Sequence, residues 1–172
     1  MKKVRYFIAF LAILSGSIGM SACKESSSTY ITEDAIFSIM DEVERATLDK
    51  DIDGVMKHLA PSVVINVIMY TPLGPQKKQM SREQYKKETL NLWSQMTYYD
   101  YSCENDEIKK ISDDGQVAVV ETDVIETYEV QGKAINTKTH ERITLQIVDG
   151  EILVTRIDAF MGMHSDTMLP LI

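Results

Sequence analysis

The sequence has no apolar run near its start that is long enough to remain in a membrane. The stretch from Tyr6 to Leu14 is nine residues long, whereas a membrane-spanning helix needs about 20. Cysteine is also scarce, because the chain has only Cys23 and Cys103. Two cysteines allow at most one disulfide bond within the chain.

Cationic residues are in short supply as well. The chain has 18 Lys and Arg against 26 Asp and Glu, for a formal net charge of −8. Without its first 22 residues it would keep 15 cationic residues and the same 26 acids, for a net charge of −11. Such a chain repels nucleic acid and anionic lipid, so we predict no nucleic-acid partner. Internal repeats are absent too, and the length fits one domain.

What the chain does have at its start is typical of a secretory signal in residues 1–22. Three cationic residues precede the short apolar run, and small residues follow it. The junction Met20-Ser21-Ala22-Cys23 resembles the lipobox of bacterial lipoproteins, although Met20 stands where Leu is usual. The resemblance implies cleavage before Cys23 and lipid on its thiol. The alternative is an ordinary cleaved signal beside an incidental cysteine.

Residues 23–31 then form a polar tether, since Lys24 to Thr29 offers nothing to bury. If Cys23 carries lipid, Cys103 is left as a free thiol. We predict a protein of the bacterial cell envelope that is anchored to a membrane by lipid. Lys24 after the cysteine, rather than Asp, favours the outer membrane if the host is Gram-negative.

Helical periodicity and capping residues predict three helices in the N-terminal half. The first begins after Thr32, the second begins near Asp51, and the third begins at a capping box of Ser81 and Gln84. Between the second and third helices, Val63 to Tyr70 reads as a strand and Thr71 to Pro75 as a loop. The apolar stripe of the third helix comprises Tyr85, Thr89, Leu92, Trp93 and Met96.

The remaining sequence predicts a four-stranded antiparallel meander from about Tyr98 to Met161. Its turn signals are Asp114-Gly115, Gln131-Gly132 and Asp149-Gly150. Two-residue turns at the last two signals set the strand registers. Thr122 then lies opposite Glu141, and Glu141 opposite Asp158, on a mostly apolar face. The other face pairs Glu121 with Arg142 and Asp123 with His140, and a bulge is expected between Ile108 and Ile111.

This order of elements, α+β with helices before a long curved antiparallel sheet, resembles the nuclear transport factor 2-like superfamily. That superfamily includes ketosteroid isomerases and polyketide cyclases. The resemblance covers residues 32–163, followed by a tail at 164–172, and implies a cone with a pocket and a homodimer formed through the sheet. The segments that carry it are Lys50–Gly54 to Ala60–Pro61, Gly115–Val119, and Glu141–Leu145 before Asp149–Gly150.

Polar residues on the predicted apolar face are the candidate site. Two adjacent carboxylates on such a wall push one pKa upward, as in acid–base sites. Glu141 and Asp158, with Arg156 nearby, are therefore the catalytic candidates. The alternative is a structural salt-bridge cluster or a rim reached by solvent. The ligand-pocket candidates are Thr122, Glu126, Tyr128, Glu141, Arg156 and Asp158.

Neither a metal site nor a cofactor is expected. Asp49 to Gly54 imitates the start of a calcium loop, but its twelfth position is Ala60 instead of a bidentate Glu. A helix joint with capping carboxylates is the better interpretation.

These observations predict a membrane-anchored lipoprotein whose domain binds a small apolar or amphipathic ligand, or a partner protein, without catalysis. The alternative is an isomerase, dehydratase or hydrolase that uses Glu141 and Asp158 as an acid–base pair.

Overall fold

A computed structural model describes residues 30–162 of the chain. The predicted signal peptide, Cys23 and the tail at 164–172 lie outside these residues. No helix within the described part is long and apolar enough to span a membrane. The elements in chain order are α1 (Glu33–Leu48), α2 (Ile52–Met56), β1 (Leu59–Thr71), β2 (Gly74–Met80), α3 (Arg82–Gln95), β3 (Met96–Ile111), β4 (Val117–Val130), β5 (Lys133–Val148) and β6 (Glu151–Met161).

The predicted helix starts are confirmed. The Thr32 hydroxyl accepts a hydrogen bond from the Ala35 amide at 3.2 Å and caps α1. Asp51 caps α2 through the Gly54 amide, so the calcium-like segment is a helix joint. Both hydrogen bonds of the capping box between Ser81 and Gln84 are present in α3.

All six strands form one sheet in the order β2-β1-β6-β5-β4-β3. The predicted meander is β3 to β6, and β1 pairs in parallel with β6. The prediction of a loop at Thr71 to Pro75 is wrong, because a tight turn there leads into β2. This strand was missed because it is polar and exposed, and carries Pro75 and two lysines. Those features are typical of edge strands.

The two predicted tight turns are confirmed, and the turn at Gln131-Gly132 sets the register of the hairpin between β4 and β5. Gln131 and Gly132 both have positive φ (53° and 72°), as do Asp149 and Gly150 (54° and 87°). Thr122 lies opposite Glu141, as predicted. The register also shifts between Ile108 and Lys110, which confirms the bulge expected in β3.

The predicted register between β5 and β6 is wrong beyond Leu145. Leu145 lies opposite Val154, but Thr144 lies opposite Arg156, so Thr155 is an extra residue in β6. This β-bulge moves every later side chain of β6 to the other face of the sheet. Asp158 therefore lies opposite Arg142.

The hydrophobic core lies between the helices and the inner face of the sheet. Its most buried large side chains include Ile36, Val120 and Leu145. Ile31, which the sequence places in the tether, is only 3% exposed, and its amide donates to the Gly115 carbonyl at 2.7 Å. The folded domain therefore includes residue 31.

Trp93 anchors a second cluster in the described core, and its replacement should destabilise the fold. The side chain is 8% exposed, and its ring centroid lies 6.5 Å from that of Tyr99. We expect Trp93→Ala to lower the free energy of unfolding by about 3–5 kcal/mol, through lost burial and an unfilled cavity. Urea unfolding followed by circular dichroism measures this change.

The matched control is Leu73→Ala at the turn between β1 and β2, where the side chain is 96% exposed. This variant should stay within about 0.5 kcal/mol of the parent protein. Equal effects of the two substitutions would contradict the packing of α3 against the sheet.

Candidate functional site

A cavity of about 260 Å³ lies between the helices and the inner face of the sheet. The helices contribute one wall and the strands the other. Apolar side chains make up most of both walls. Representative residues are Ile39, Met40 and Val43 from α1, Leu92 from α3, and Ile157 and Ala159 from β6.

Two carboxyl groups, Glu126 and Glu141, also line this cavity. In the part of the chain that the structure describes, no Lys, Arg or His side chain lines it. Its only charged groups there are therefore acidic. Across residues 30–162, no group of three or more His, Cys, Asp and Glu side chains is placed to hold a metal ion.

Glu141 projects from the middle of β5, with Thr122 on one neighbouring strand and Ala159 on the other. The side chain is half-buried, and the surface it keeps belongs to the cavity wall. Burial, followed by repulsion from Glu126, raises the pKa of Glu141 to about 7. Within the described residues, no group donates a hydrogen bond to this carboxyl.

Glu126 has a different environment from Glu141. The Tyr99 hydroxyl donates to one of its oxygens at 2.9 Å, and the Thr137 hydroxyl donates to the other at 3.3 Å. These two hydrogen bonds fix the carboxyl against the strands beside it. Of the two acids, Glu141 is therefore the one left open to a ligand.

Three tyrosine hydroxyls add polar groups to the cavity wall. Burial, followed by the charge on Glu141, raises the pKa of Tyr85 to about 12 and also raises the pKa of Tyr101 well above its usual value. Burial and Glu126 likewise raise the pKa of Tyr99. All three hydroxyls therefore keep their protons at neutral pH and remain neutral hydrogen-bonding groups.

Cys103 lines the cavity as a protonated thiol. Its sulfur donates a weak hydrogen bond to the Tyr101 hydroxyl at 3.6 Å. Burial raises the pKa of the Cys103 thiol to about 11. Because the thiolate is the reactive form, Cys103 is not an activated nucleophile.

The structure separates the six predicted pocket residues into three groups. Thr122, Glu126 and Glu141 line the cavity. Tyr128 does not: it packs instead beside the cluster of Trp93. Arg156 and Asp158 lie on the outer face of the sheet, because the bulge at Thr155 reverses the direction of their side chains.

The predicted acid–base pair of Glu141 and Asp158 is therefore wrong. Asp158 accepts two hydrogen bonds from Arg156, at 2.7 and 2.9 Å, and one from Asn66 at 2.7 Å. Burial acts to raise the pKa of Asp158, but these hydrogen bonds outweigh it and lower the pKa. Arg156 and Asp158 form the structural salt bridge that the sequence left as an alternative.

The outer face also contains the predicted cross-strand charge pairs. His140 Nδ1 lies 3.1 Å from Asp123, and Arg142 lies 3.9 Å from Glu121. Burial would raise the pKa of Asp123, but hydrogen bonds from Asn105, His140 and Lys138 lower it to about 2. These contacts stabilise the sheet from the side opposite the cavity.

Sequence reasoning missed the part of the cavity wall that β3 contributes. Tyr99, Tyr101 and Cys103 line it from alternating positions in β3. The signal was this period of two, which puts all three side chains on one face. This period alone does not say which face of the sheet the three side chains occupy, because the register of β3 could not be set from the sequence.

The unpaired carboxyl of Glu141 should make the stability of the domain depend on pH. Its pKa is about 7 in the folded state, against roughly 4.3 unfolded, so the folded state loses stability as pH rises between these values. We expect Glu141→Gln to match the parent below pH 4.5 and to exceed it by about 1–3 kcal/mol at pH 8. Urea unfolding across this range measures the difference.

Glu151→Gln is the matched control, because it removes the same charge from an exposed position at the start of β6. Its effect should be small at every pH. If Glu141→Gln changed stability by a constant amount across the range, Glu141 would not have the raised pKa described above.

Comparison with known proteins supports the fold alone. No protein-family model matches this sequence, and no curated protein matches it either. Solved structures do match. A nuclear transport factor 2-like protein from Cytophaga hutchinsonii has a TM-score of 0.59 at 13% identity, over 76% of this chain and 99% of that one.

Two further matches are named after enzymes. A hexachlorocyclohexane dehydrochlorinase from Novosphingobium barchaimii has a TM-score of 0.59 at 12% identity, over 80% of this chain and 94% of that one. A candidate scytalone dehydratase from Novosphingobium aromaticivorans has a TM-score of 0.57 at 16% identity, over 79% and 87%. The chain thus has the predicted α+β fold of the nuclear transport factor 2-like type, with helices on a curved sheet.

Proposed function

We propose that the domain binds a small, mainly apolar molecule in the cavity, on a protein anchored by lipid to the bacterial cell envelope. The observation that carries the ligand-binding proposal is the cavity itself, with its volume of about 260 Å³ and its mostly apolar wall. Ligand sites are typically concave and apolar with a few placed polar groups. Glu141 and the hydroxyls of Tyr85 and Tyr101 have that role here.

The cavity volume sets the size of the ligand. An engineered apolar cavity of about 150 Å³ is enough to bind benzene. The present cavity is larger, at about 260 Å³. An aromatic ring with a short side chain is therefore a suitable occupant.

Binding without chemistry is favoured because Glu141 lacks a catalytic partner. Asp158 points away from the cavity, and no His, Lys or Arg of the described residues lines it. Cys103 is held as a thiol. With Glu126 held by its own hydrogen bonds, the carboxyl of Glu141 beside neutral tyrosines is well suited to holding a polar group of a ligand.

A second candidate function is proton transfer by Glu141 alone. The pKa of about 7 is favourable for a general acid or base at neutral pH. Two similar structures carry the names of a dehydrochlorinase and a candidate dehydratase, which is consistent with such chemistry on this fold. An enzyme of this kind would lose turnover in Glu141→Gln, whereas a binding protein has no turnover to lose.

Filling the cavity should abolish ligand binding. We expect Ala159→Phe, beside Glu141 in the cavity wall, to weaken binding of 3-phenylpropan-1-ol by more than about tenfold. The measurement is isothermal titration calorimetry on the chain without its first 23 residues, which keeps all of the described fold. Circular dichroism verifies folding, since overpacking also costs stability.

The matched control is Ala134→Phe, an exposed alanine at the start of β5. This variant adds the same ring outside the cavity and should bind the alcohol as the parent does. Equal loss of binding in both variants would contradict the proposed site, and no binding of the alcohol or of its amine and carboxylate analogues by the parent would contradict the proposed function.

The lipid anchor is tested in cells. We expect the wild-type protein to incorporate radioactive palmitate and Cys23→Ser to incorporate none, because lipid transfer at the Met20–Cys23 junction requires the thiol. Cys103→Ser is the matched control and should keep the label. An unlabelled wild-type protein would contradict lipidation. The homodimer through the sheet and the lack of nucleic-acid binding stay predictions.

A further inference from the structure

We propose that the preferred ligand of the cavity is a hydrophobic amine, whose protonated nitrogen lies against Glu141 and whose apolar body fills the remaining space. This inference rests on the proposed ligand-binding function and gives its ligand a chemical class. Three features of the described cavity support it: the sign of its charge, the hydrogen bonds that its acids lack, and its aromatic wall.

The charged groups of the cavity are all of one sign. Glu126 and Glu141 line it, and no cationic side chain of the described residues does. A ligand with a carboxylate or phosphate would meet repulsion and no counter-charge. A cationic ligand would meet two acids on a mostly apolar, half-buried wall, where charge–charge attraction is stronger than in bulk water.

Hydrogen bonding selects Glu141 as the acid that receives the nitrogen. Glu126 already accepts from Tyr99 and Thr137, whereas no described residue donates to Glu141. A carboxylate in an apolar wall is costly without donors. An ammonium group supplies up to three donors together with the opposite charge, and charge-assisted hydrogen bonds are the stronger kind.

Glu126 acts on the same ligand from a distance. Its partner across the hairpin is Thr137, four residues before Glu141 in β5 and on the same face. The backbone positions of Thr137 and Glu141 are therefore about 13 Å apart along β5. Because Glu126 is also held by Tyr99 and Thr137, the nitrogen is placed against Glu141, and Glu126 adds a favourable electrostatic field.

The aromatic wall favours a cation as well. Tyr85, Tyr99, Tyr101 and Trp93 line the cavity, and aromatic faces attract ammonium groups. Lys50 illustrates the point, because its Nζ lies 5.9 Å from the ring centroid of Tyr99. Lys50 does not line the cavity, so it does not supply the missing counter-charge there.

Proton linkage follows from this arrangement. The pKa of Glu141 is about 7 in the ligand-free protein, and an ammonium beside it lowers that pKa. The titratable groups that act on Glu141 or feel its charge are Glu126 from β4, Tyr101 and Cys103 from β3, and Tyr85 from α3. Raised pKa values keep the tyrosines and the thiol protonated. Below about pH 7 the amine must therefore displace a proton from Glu141.

The experiment compares three probes of one shape by isothermal titration calorimetry. They are 3-phenylpropylamine, 3-phenylpropan-1-ol and 3-phenylpropanoate, each titrated into the chain without its first 23 residues. At pH 7.5 the amine should bind about tenfold or more tightly than the alcohol, and the carboxylate most weakly. At pH 5.5 this advantage should fall by about tenfold, with proton release that varies with the ionisation enthalpy of the buffer.

Glu141→Gln and Glu151→Gln form the matched pair of variants. Glu141→Gln should bring the amine and the alcohol to within about threefold of each other, while the exposed Glu151→Gln should keep the full preference. If Glu141→Gln does not fold, the role of Glu141 is still tested by the pH dependence of amine binding to the parent protein and by the proton released on binding.

The outcomes separate the two proposals. If the alcohol binds as tightly as the amine, or the carboxylate binds best, the amine inference is overturned and the ligand-binding function stands. If the preference for the amine survives in Glu141→Gln or does not change between pH 7.5 and pH 5.5, the role of Glu141 is overturned. If none of the three probes binds, both proposals fail.

Discussion

One extra residue in β6 determines the chemistry of the cavity. Because Thr155 has no place in the regular pairing with β5, the strand changes face after Val154. Apolar Ile157 and Ala159 then enter the cavity wall. Asp158 turns outward, where Asn66 and Arg156 bind it. Without this bulge, the wall would hold a second carboxylate and a guanidinium, and Glu141 would have a charged partner beside it.

Because of the bulge, Glu141 has no charged partner from β6 on a cavity wall that is otherwise mostly apolar. A carboxyl without donors weakens the folded state at neutral pH, and Glu126 adds repulsion. Neighbouring positions on the same face, including Thr139 and Ile143 in β5, carry uncharged residues that do not lower the stability of the fold in this way. A polar group that lowers stability within a cavity is more readily explained by binding than by folding. The aromatic rings and tyrosine hydroxyls around it give a ligand both apolar contact and hydrogen bonds.

The features that could be predicted from the sequence are those determined by a few neighbouring residues, such as helix starts and tight turns. Helix starts and strand reversals depend on a few neighbouring residues, and Thr32, Ser81 and the two tight turns therefore indicate them correctly. The turn at Gln131-Gly132 also fixes the position of Glu141 beside Thr122. Features that depend on distant contacts were missed. The edge strand β2 has no apolar period of its own, and the bulge at Thr155 shifts a register by one residue. A signal for the bulge was present, since two consecutive polar residues, Thr155 and Arg156, separate apolar Val154 from apolar Ile157, a spacing that a regular period of two does not give.

Glu141 lies in the cavity without a hydrogen-bond donor or a charged neighbour from β6, while Asp158 lies on the outer face of the sheet. A pH titration of the two side-chain carboxyls by ¹³C NMR tests whether they lie in these two environments. We expect a midpoint near pH 7 for Glu141 and, for Asp158, a midpoint below the usual range of aspartate because Arg156 and Asn66 hold its ionised form. An ordinary midpoint for Glu141, or coupled titration of the two groups with one of them raised, would contradict both the bulge and the site built upon it.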